Sequence, residues 1–246
     1  MGAFKEPHGG ELKNLYLDDA GVKAEKARAR DLPSLDLNMR QLCDIEMLLN
    51  GAFSPLEGFL DEKDYKSVVK DMRLASGVIW PMPINLDVKP EFADKRGVGD
   101  EIALRDQEGV LIATLKIGSI YRPDKALEAK SVFGATDEAH PGVSYLMRRS
   151  GDVYLGGKLR GVEAPSHYDF KHLRDTPKEM RDRFQKLGWR KVVAFQTRNP
   201  MHRSHEHLAK IAAEVTDGVF IHQVLGQLKA GDIPAIDTML TVIWIN

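Results

Sequence analysis

Residues 191–225, KVVAFQTRNPMHRSHEHLAKIAAEVTDGVFIHQVL, decide the fold. Lys191 to Phe195 is a short apolar run of the kind expected of a fully buried strand, and Val219 to Leu225 is another. Between them Asn199-Pro200 offers an N-cap followed by proline, and Leu208, Ile211, Ala212 and Val215 make an apolar stripe at helical spacing. The pattern predicts a helix running to about Val215 and broken at Gly218. Strand, helix, strand in so short a span predicts a βαβ unit, hence a parallel pair with a right-handed crossover. Upstream, Thr176-Pro177-Lys178-Glu179 has the pattern of a capping box, and Met180, Phe184 and Leu187 follow at i, i+4, i+7. A helix is therefore expected over Pro177 to Leu187, with Gly188 as its stop.

Working back toward the N-terminus, the chain changes character. Residues 1 to about 170 read as mostly β and loop with a few helices. Asp36 to Leu49 and Asp61 to Met72 are helix-like, and Val78 to Val88 reads as an edge strand carrying two prolines. Glu101 to Leu104 and Val110 to Tyr121 alternate as strands around Asp106-Gln107-Glu108-Gly109, which is hairpin chemistry. Short strands with turn signals suggest a small barrel or a strongly bent sheet. A boundary is expected near residue 170.

Composition narrows the function classes. The 246 residues carry 35 Lys+Arg against 36 Asp+Glu, a net charge of -1. A dedicated nucleic-acid binder would carry a basic surplus, so none is expected as a partner. The one cysteine, Cys43, forms no internal disulfide and fits a reducing, cytoplasmic setting. The opening MGAFKEPHGG has no apolar core of a signal peptide, and no apolar run approaches the ~20 residues of a membrane span.

In open parallel sheets ligands bind beyond the carboxyl ends of the strands. Two loops leave those ends here: Gln196–His205 and Gly226–Asp232. The first runs into a helix N-terminus, whose free N–H groups and partial positive charge suit a phosphate or sulfate. His202 and His205 are three apart and share one helix face. Arg198 adds a planar fork for an oxyanion and Gln196 an amide donor. These loops hold one carboxylate, Asp232, and no Ser-His-Asp or Cys-His arrangement stands near them. A site of donors and cations without a nucleophile suits phosphoryl or nucleotidyl transfer, in which the substrates supply attacker and leaving group. Plainer readings stand beside this one. His202, His205 and His207 could ligate a metal, but His207 lies off the shared face and no Cys or carboxylate completes a set. They could be ordinary surface histidines. Lys229 and Asp232 could be turn residues, His222 a satisfied core histidine, and Pro7-His8-Gly9-Gly10 a flexible lead-in.

At these residues the chain resembles the ATP sulfurylase (sulfate adenylyltransferase) family. QTRNPMHRSH at Gln196–His205 is similar to that family's central signature. PHGG at Pro7–Gly10, LLNGAFSPLEGFL at Leu48–Leu60, VFGATDEAHPGV at Val132–Val143, YLGGKL at Tyr154–Leu159, HYDF at His167–Phe170 and IHQVLGQLKAGDI at Ile221–Ile233 are similar to its other segments, in order. The resemblance implies an α+β two-domain chain: a PUA-like β-rich N-terminal domain, 1–170, followed by an α/β Rossmann-like nucleotidylyltransferase domain, 171–246. It also implies a reaction between MgATP and sulfate giving adenylyl sulfate (APS) and pyrophosphate, with Mg2+ arriving on ATP and no protein-ligated metal. By that resemblance Gln196 and Arg198 would hold sulfate, Thr197 and Asn199 would contact the nucleotide phosphates, and His202 and His205 would stabilise charge in the transition state. Lys229, Gly231 and Asp232 of the second loop would bind substrate. The family leaves room for a homo-oligomer.

The sequence departs from the family pattern at its end. The glycine-rich GRDHAG-type loop is absent, and Ile236–Asn246 (IDTMLTVIWIN) does not resemble the family's continuation. An open nucleotide-binding sheet normally needs two βαβ halves, so the expectation is a truncated or frameshifted catalytic domain, with a genuine terminal strand as the alternative. Two rival functions follow: a non-catalytic remnant that at most binds nucleotide or oxyanion, and an RNA-binding PUA-like module, which the balanced charge disfavours.

Overall fold

In the computed structural model, which describes residues 5–224, the chain divides into two units, Glu6–Lys178 and a second that contains Glu179 onward. The first is organised on one mixed sheet. Its strands are β1 (Ser34–Asp36), β2 (Gly58–Phe59), β3 (Leu86–Val88), β4 (Glu101–Arg105), β5 (Leu111–Tyr121) and β6 (Val153–Gly161). They run in the order β1-β4-β5-β6-β2, with β3 also paired to β6. Only the β1–β4 pair is parallel. Irregularities at Leu104/Arg105 and Ile117/Ser119 bend the ladder, as extra residues in antiparallel pairs do. The sheet is thus bent and open along its ladder, and the hairpin expected at Asp106–Gly109 is present, with Gly109 at φ 86°.

Helices α1 (Asp19–Arg28), α2 (Met39–Leu49), α3 (Glu62–Asp71), α4 (Pro90–Ala93), α5 (Lys125–Glu128) and α6 (Pro141–Arg148) surround the sheet. Each boundary has a local cause. Asn38 caps α2 in a reciprocal box: its side chain accepts from Gln41 N, and the Gln41 amide oxygen accepts from Asn38 N, both at 3.0 Å. That cap starts the helix at Met39, because Ser34–Asp36 is taken up by β1. Asp61 caps α3 without the reciprocal bond, its side chain accepting from Asp64 N at 2.8 Å. The strand expected over Val78–Val88 shrinks to Leu86–Val88, since Pro81 and Pro83 cannot donate to a ladder. Leu48 and Leu49 of α2 and Val68 of α3 bury themselves with Ile102, Leu104, Ile112, Leu115, Ile117 and Leu155 in one continuous core. The double glycine of YLGGKL belongs to this packing. A Cβ on Gly157 would stand 2.1 Å from the Lys116 carbonyl oxygen and one on Gly156 2.4 Å from that of Leu60, so β6 admits no side chain where its neighbours press closest. Pro7–Gly10 is largely exposed yet anchored: His8 Nε2 meets the Ile79 carbonyl at 2.7 Å, the ring stacks on Trp80, and Gly9 lies against Pro55.

This unit holds two polar networks, one half-buried around Arg40 and one buried around Glu128. Arg40 pairs with Asp44 at 2.5 Å and with Asp87, while Asp87 also accepts from Gln41 Nε2 and Gly151 N. Burial lifts the Asp44 carboxyl to about 6; Arg40 opposes the rise and Asp87 adds to it. Glu128 receives hydroxyl hydrogen bonds from Tyr65 (2.8 Å) and Tyr154 (3.1 Å), and burial raises its carboxyl above the usual range.

The second unit carries the βαβ pattern read from the sequence. Helix α7 (Pro177–Lys186) leads into β7 (Val192–Thr197), α8 (Arg203–Val215) and β8 (Gly218–Gln223), and β7 and β8 are parallel in register from Val192↔Gly218 to Thr197↔Gln223. Gly188, at φ 73°, ends α7 in a Schellman turn: Trp189 N donates to Phe184 O (2.9 Å) and Gly188 N to Gln185 O (3.0 Å). The Phe184 and Trp189 rings stack across that turn, and Phe220 of β8 packs edge-on against Phe184. At the start of the pair Asp217 accepts from both Arg190 N and Lys191 N at 2.7 Å, and these two backbone donors hold its carboxyl below the ordinary value.

Three expectations need correction here. Helix α8 begins at Arg203 with His202 as its N-cap, whose carbonyl accepts from Glu206 N at 3.1 Å; the Asn199 carbonyl, which a cap would offer to the helix, accepts from Thr197 Oγ1 instead, so Asn199-Pro200 forms a turn. β7 and β8 are both half-buried rather than fully buried, since among the described residues each has only the other beside it. His222 is exposed on β8 and is no core histidine. The apolar stripe of α8 also faces outward in part, with Leu208 at 55% and Val215 at 72% exposure.

Candidate active site

The carboxyl end of β7 and the start of α8 bring six of the sequence-predicted residues into one loop. Gln196 and Thr197 close β7, Arg198 and Asn199 form the turn, His202 caps α8 and His205 is its third residue. The loop is built by its own polar side chains. Thr197 Oγ1 donates to the Asn199 carbonyl (3.0 Å) and accepts from Asn199 N (3.1 Å), which closes the turn that presents Arg198. Val224 N donates to Thr197 O at 2.8 Å, carrying the parallel pairing to the very end of β7. Met201 is buried beneath the loop at 8% exposure, while Arg198, Asn199 and His202 are exposed.

The two histidines are coupled. Their rings stack at 3.7 Å between centroids. His202 N donates to His205 Nδ1 across 3.4 Å, so the proton of a neutral His205 sits on Nε2. Ser204 Oγ hydrogen-bonds His202 Nδ1 at 2.7 Å, which leaves Nε2 of that ring for another partner. Phe195 packs against the His205 ring.

Gln196 has a neighbour that the sequence did not announce. The parallel register sets Gln196 opposite His222, and Gln196 Nε2 lies 3.3 Å from His222 Nδ1. The His222 ring in turn stacks on Phe220 at 5.4 Å. A register count across the expected parallel pair would have been the signal for this contact. Lys229, Gly231 and Asp232 lie outside the described residues. Among the described residues no group of three His, Cys, Asp or Glu converges as metal ligands. The other motifs sit in Glu6–Lys178: HYDF sends His167 Nε2 to Glu46 Oε1 at 2.7 Å, and in VFGATDEAHPGV the His140 ring accepts from Gly142 N to cap α6. No described helix is long and apolar enough to cross a membrane.

Two family models match the chain in succession. The model of the PUA-like domain family matches residues 5–164, and that of the ATP-sulfurylase family matches 171–242. A sulfate adenylyltransferase of Gibberella zeae is 52% identical over 232 residues, covering 92% of this chain and 40% of the relative. One from Candida albicans is 48% identical, covering 92% and 46%, and a probable bifunctional SAT/APS kinase of Sorangium cellulosum is 46% identical, covering 93% and 39%. Among solved structures, a hexameric APS kinase from Thiobacillus denitrificans superposes with a TM-score of 0.76 at 32% identity, over 97% of this chain and 43% of that one. The chain spans about 40% of the length of the Gibberella relative. With a PUA-like domain followed by an α/β nucleotide-binding region, the chain belongs to the ATP-sulfurylase family.

Proposed function

We propose that the protein is a sulfate adenylyltransferase whose reacting groups gather at the loop Gln196–His205. The observation that carries this is one loop in which an amide, a guanidinium, a closed turn and two stacked imidazoles meet at the N-terminus of α8. The amide, the guanidinium and the imidazole N–H groups can each donate to an oxyanion, and the reaction asks for no nucleophile from the protein. Sulfate is a dianion at neutral pH and needs no general base. One of its oxygens attacks the α-phosphorus of ATP, a new S–O–P link forms, and the Pα–O bond to the β-phosphate breaks. Pyrophosphate leaves with the electron pair. Gln196 and Arg198 hold sulfate in line; Thr197 and Asn199 meet the nucleotide phosphates; His202 and His205 offer Nε2–H donors to the charge that grows on them. Magnesium enters as the counter-ion of the ATP phosphates. Lys229, Gly231 and Asp232 complete the substrate contacts, the domain boundary falls near residue 170, and the protein works in the cytoplasm, as a homo-oligomer if it follows its hexameric structural neighbour.

The test is pyrophosphate release by the chain with MgATP, with and without sulfate. Sulfate-dependent release that disappears in Arg198→Ala supports the reading. Release that is indifferent to sulfate, or that survives in Arg198→Ala, contradicts it; binding of MgATP without release would favour a nucleotide-binding remnant.

A further inference from the structure

We infer that His222, on β8, is a positioning residue that sets the orientation of the Gln196 amide for sulfate; the inference rests on the proposed sulfate site. A glutamine amide has two faces of opposite character, and only its NH2 side can donate to an oxyanion. Rotation by half a turn would aim Oε1 at the anion and repel it. On an exposed strand end nothing in the backbone chooses between the two. The structure supplies the choice across the strand pair. In the parallel register His222 is the direct partner of Gln196, and Nε2 approaches His222 Nδ1 at 3.3 Å. With a neutral ring protonated on Nε2, Nδ1 accepts one amide hydrogen and leaves the other for the anion. The flipped amide would set Oε1 against a lone pair.

The imidazole is itself held. Its ring lies on Phe220 at 5.4 Å and 19° between planes, and Phe220 packs on Phe184 of α7. The chain of contacts therefore runs from the aromatic packing under β8, through His222, to the amide at the end of β7. This gives IHQ at Ile221–Gln223 a task beyond strand formation, on a residue that makes no direct contact with substrate in this account.

The experiment titrates sodium sulfate into the full chain loaded with the magnesium complex of α,β-methylene ATP, which cannot transfer its adenylyl group. One neutral hydrogen bond of orientation is worth about 1 kcal/mol, so His222→Ala is expected to weaken sulfate about fivefold to tenfold. Affinity for the methylene analogue itself should stay unchanged, which a merely structural loss would not allow. His222→Phe keeps the stack on Phe220 and removes the acceptor; it should match His222→Ala, while His222→Asn restores part of the affinity. The double variant Gln196→Ala/His222→Ala should bind sulfate no more weakly than Gln196→Ala. Additive losses, or a His222→Phe chain with native sulfate affinity, overturn the inference while the Gln196 effect leaves the sulfate site standing. A native chain that binds no sulfate, or a Gln196→Ala chain unimpaired, overturns the sulfate reading and this inference with it.

Discussion

The two units put the same family resemblance to different uses. In Glu6–Lys178 the two most buried of the matched segments are packing: the glycines of YLGGKL admit neighbouring carbonyls, and Leu48, Leu49, Leu56, Phe59 and Leu60 of LLNGAFSPLEGFL lie in the core; the largely exposed PHGG and VFGATDEAHPGV serve as anchor and helix cap through His8 and His140. In the second unit the matched segment QTRNPMHRSH is largely exposed, and its polar groups hold one another in a loop at a helix N-terminus. The contrast teaches that similarity in motif does not say what a motif is for. Burial and hydrogen-bond direction do.

That contrast can be broken by substitution. The largest effect is expected at Arg198, where removal of one oxyanion donor costs on the order of a hundredfold or more in rate. Arg198→Ala should cut sulfate-dependent pyrophosphate release by that factor and leave thermal unfolding unchanged; equal loss of melting temperature would make the residue structural. In the other unit the effect reverses. Leu155 is fully buried, so Leu155→Ala should cost about 2–5 kcal/mol in denaturant unfolding. A loss below about 1 kcal/mol would show that the sheet core is not close-packed as described.

Asp44 sharpens the comparison through pH. Its carboxyl is raised to about 6 from 3.8, so between those values the folded chain holds a proton that the unfolded chain has lost. Stability from this group is full below about 4 and falls as pH rises through 6. Asp44→Asn should flatten the decline in melting temperature between pH 4 and 6; an unchanged slope would contradict the burial of this charge. The smallest effect belongs to α8. Leu208 is 55% exposed, and Leu208→Gln should change stability by less than about 0.5 kcal/mol by chemical unfolding. A loss of 2 kcal/mol would mean that this face is covered in solution.

The strand-helix-strand unit was legible because its signals are local: an apolar run, a helical stripe, a glycine break. Its capping was not, since the Asn199 carbonyl could serve the helix or the Thr197 hydroxyl and the turn won. α1 escaped notice because the residue it buries is Glu25, held by Arg28 and Thr114, which hydropathy reads as surface. β6 escaped because its double glycine argues against a strand unless the close approach of β5 is known. Of the site, the donors were legible from residue type and position. The pairing of Gln196 with His222 was not, because it depends on register between strands 26 residues apart.

The most direct test maps where the substrates bind. Hydrogen exchange, followed by mass spectrometry with and without the magnesium complex of α,β-methylene ATP and sulfate, reports protection segment by segment. Protection concentrated on residues 196–205, with Glu6–Lys178 unchanged, is the predicted result. Protection within Glu6–Lys178 and none at 196–205 would contradict the account.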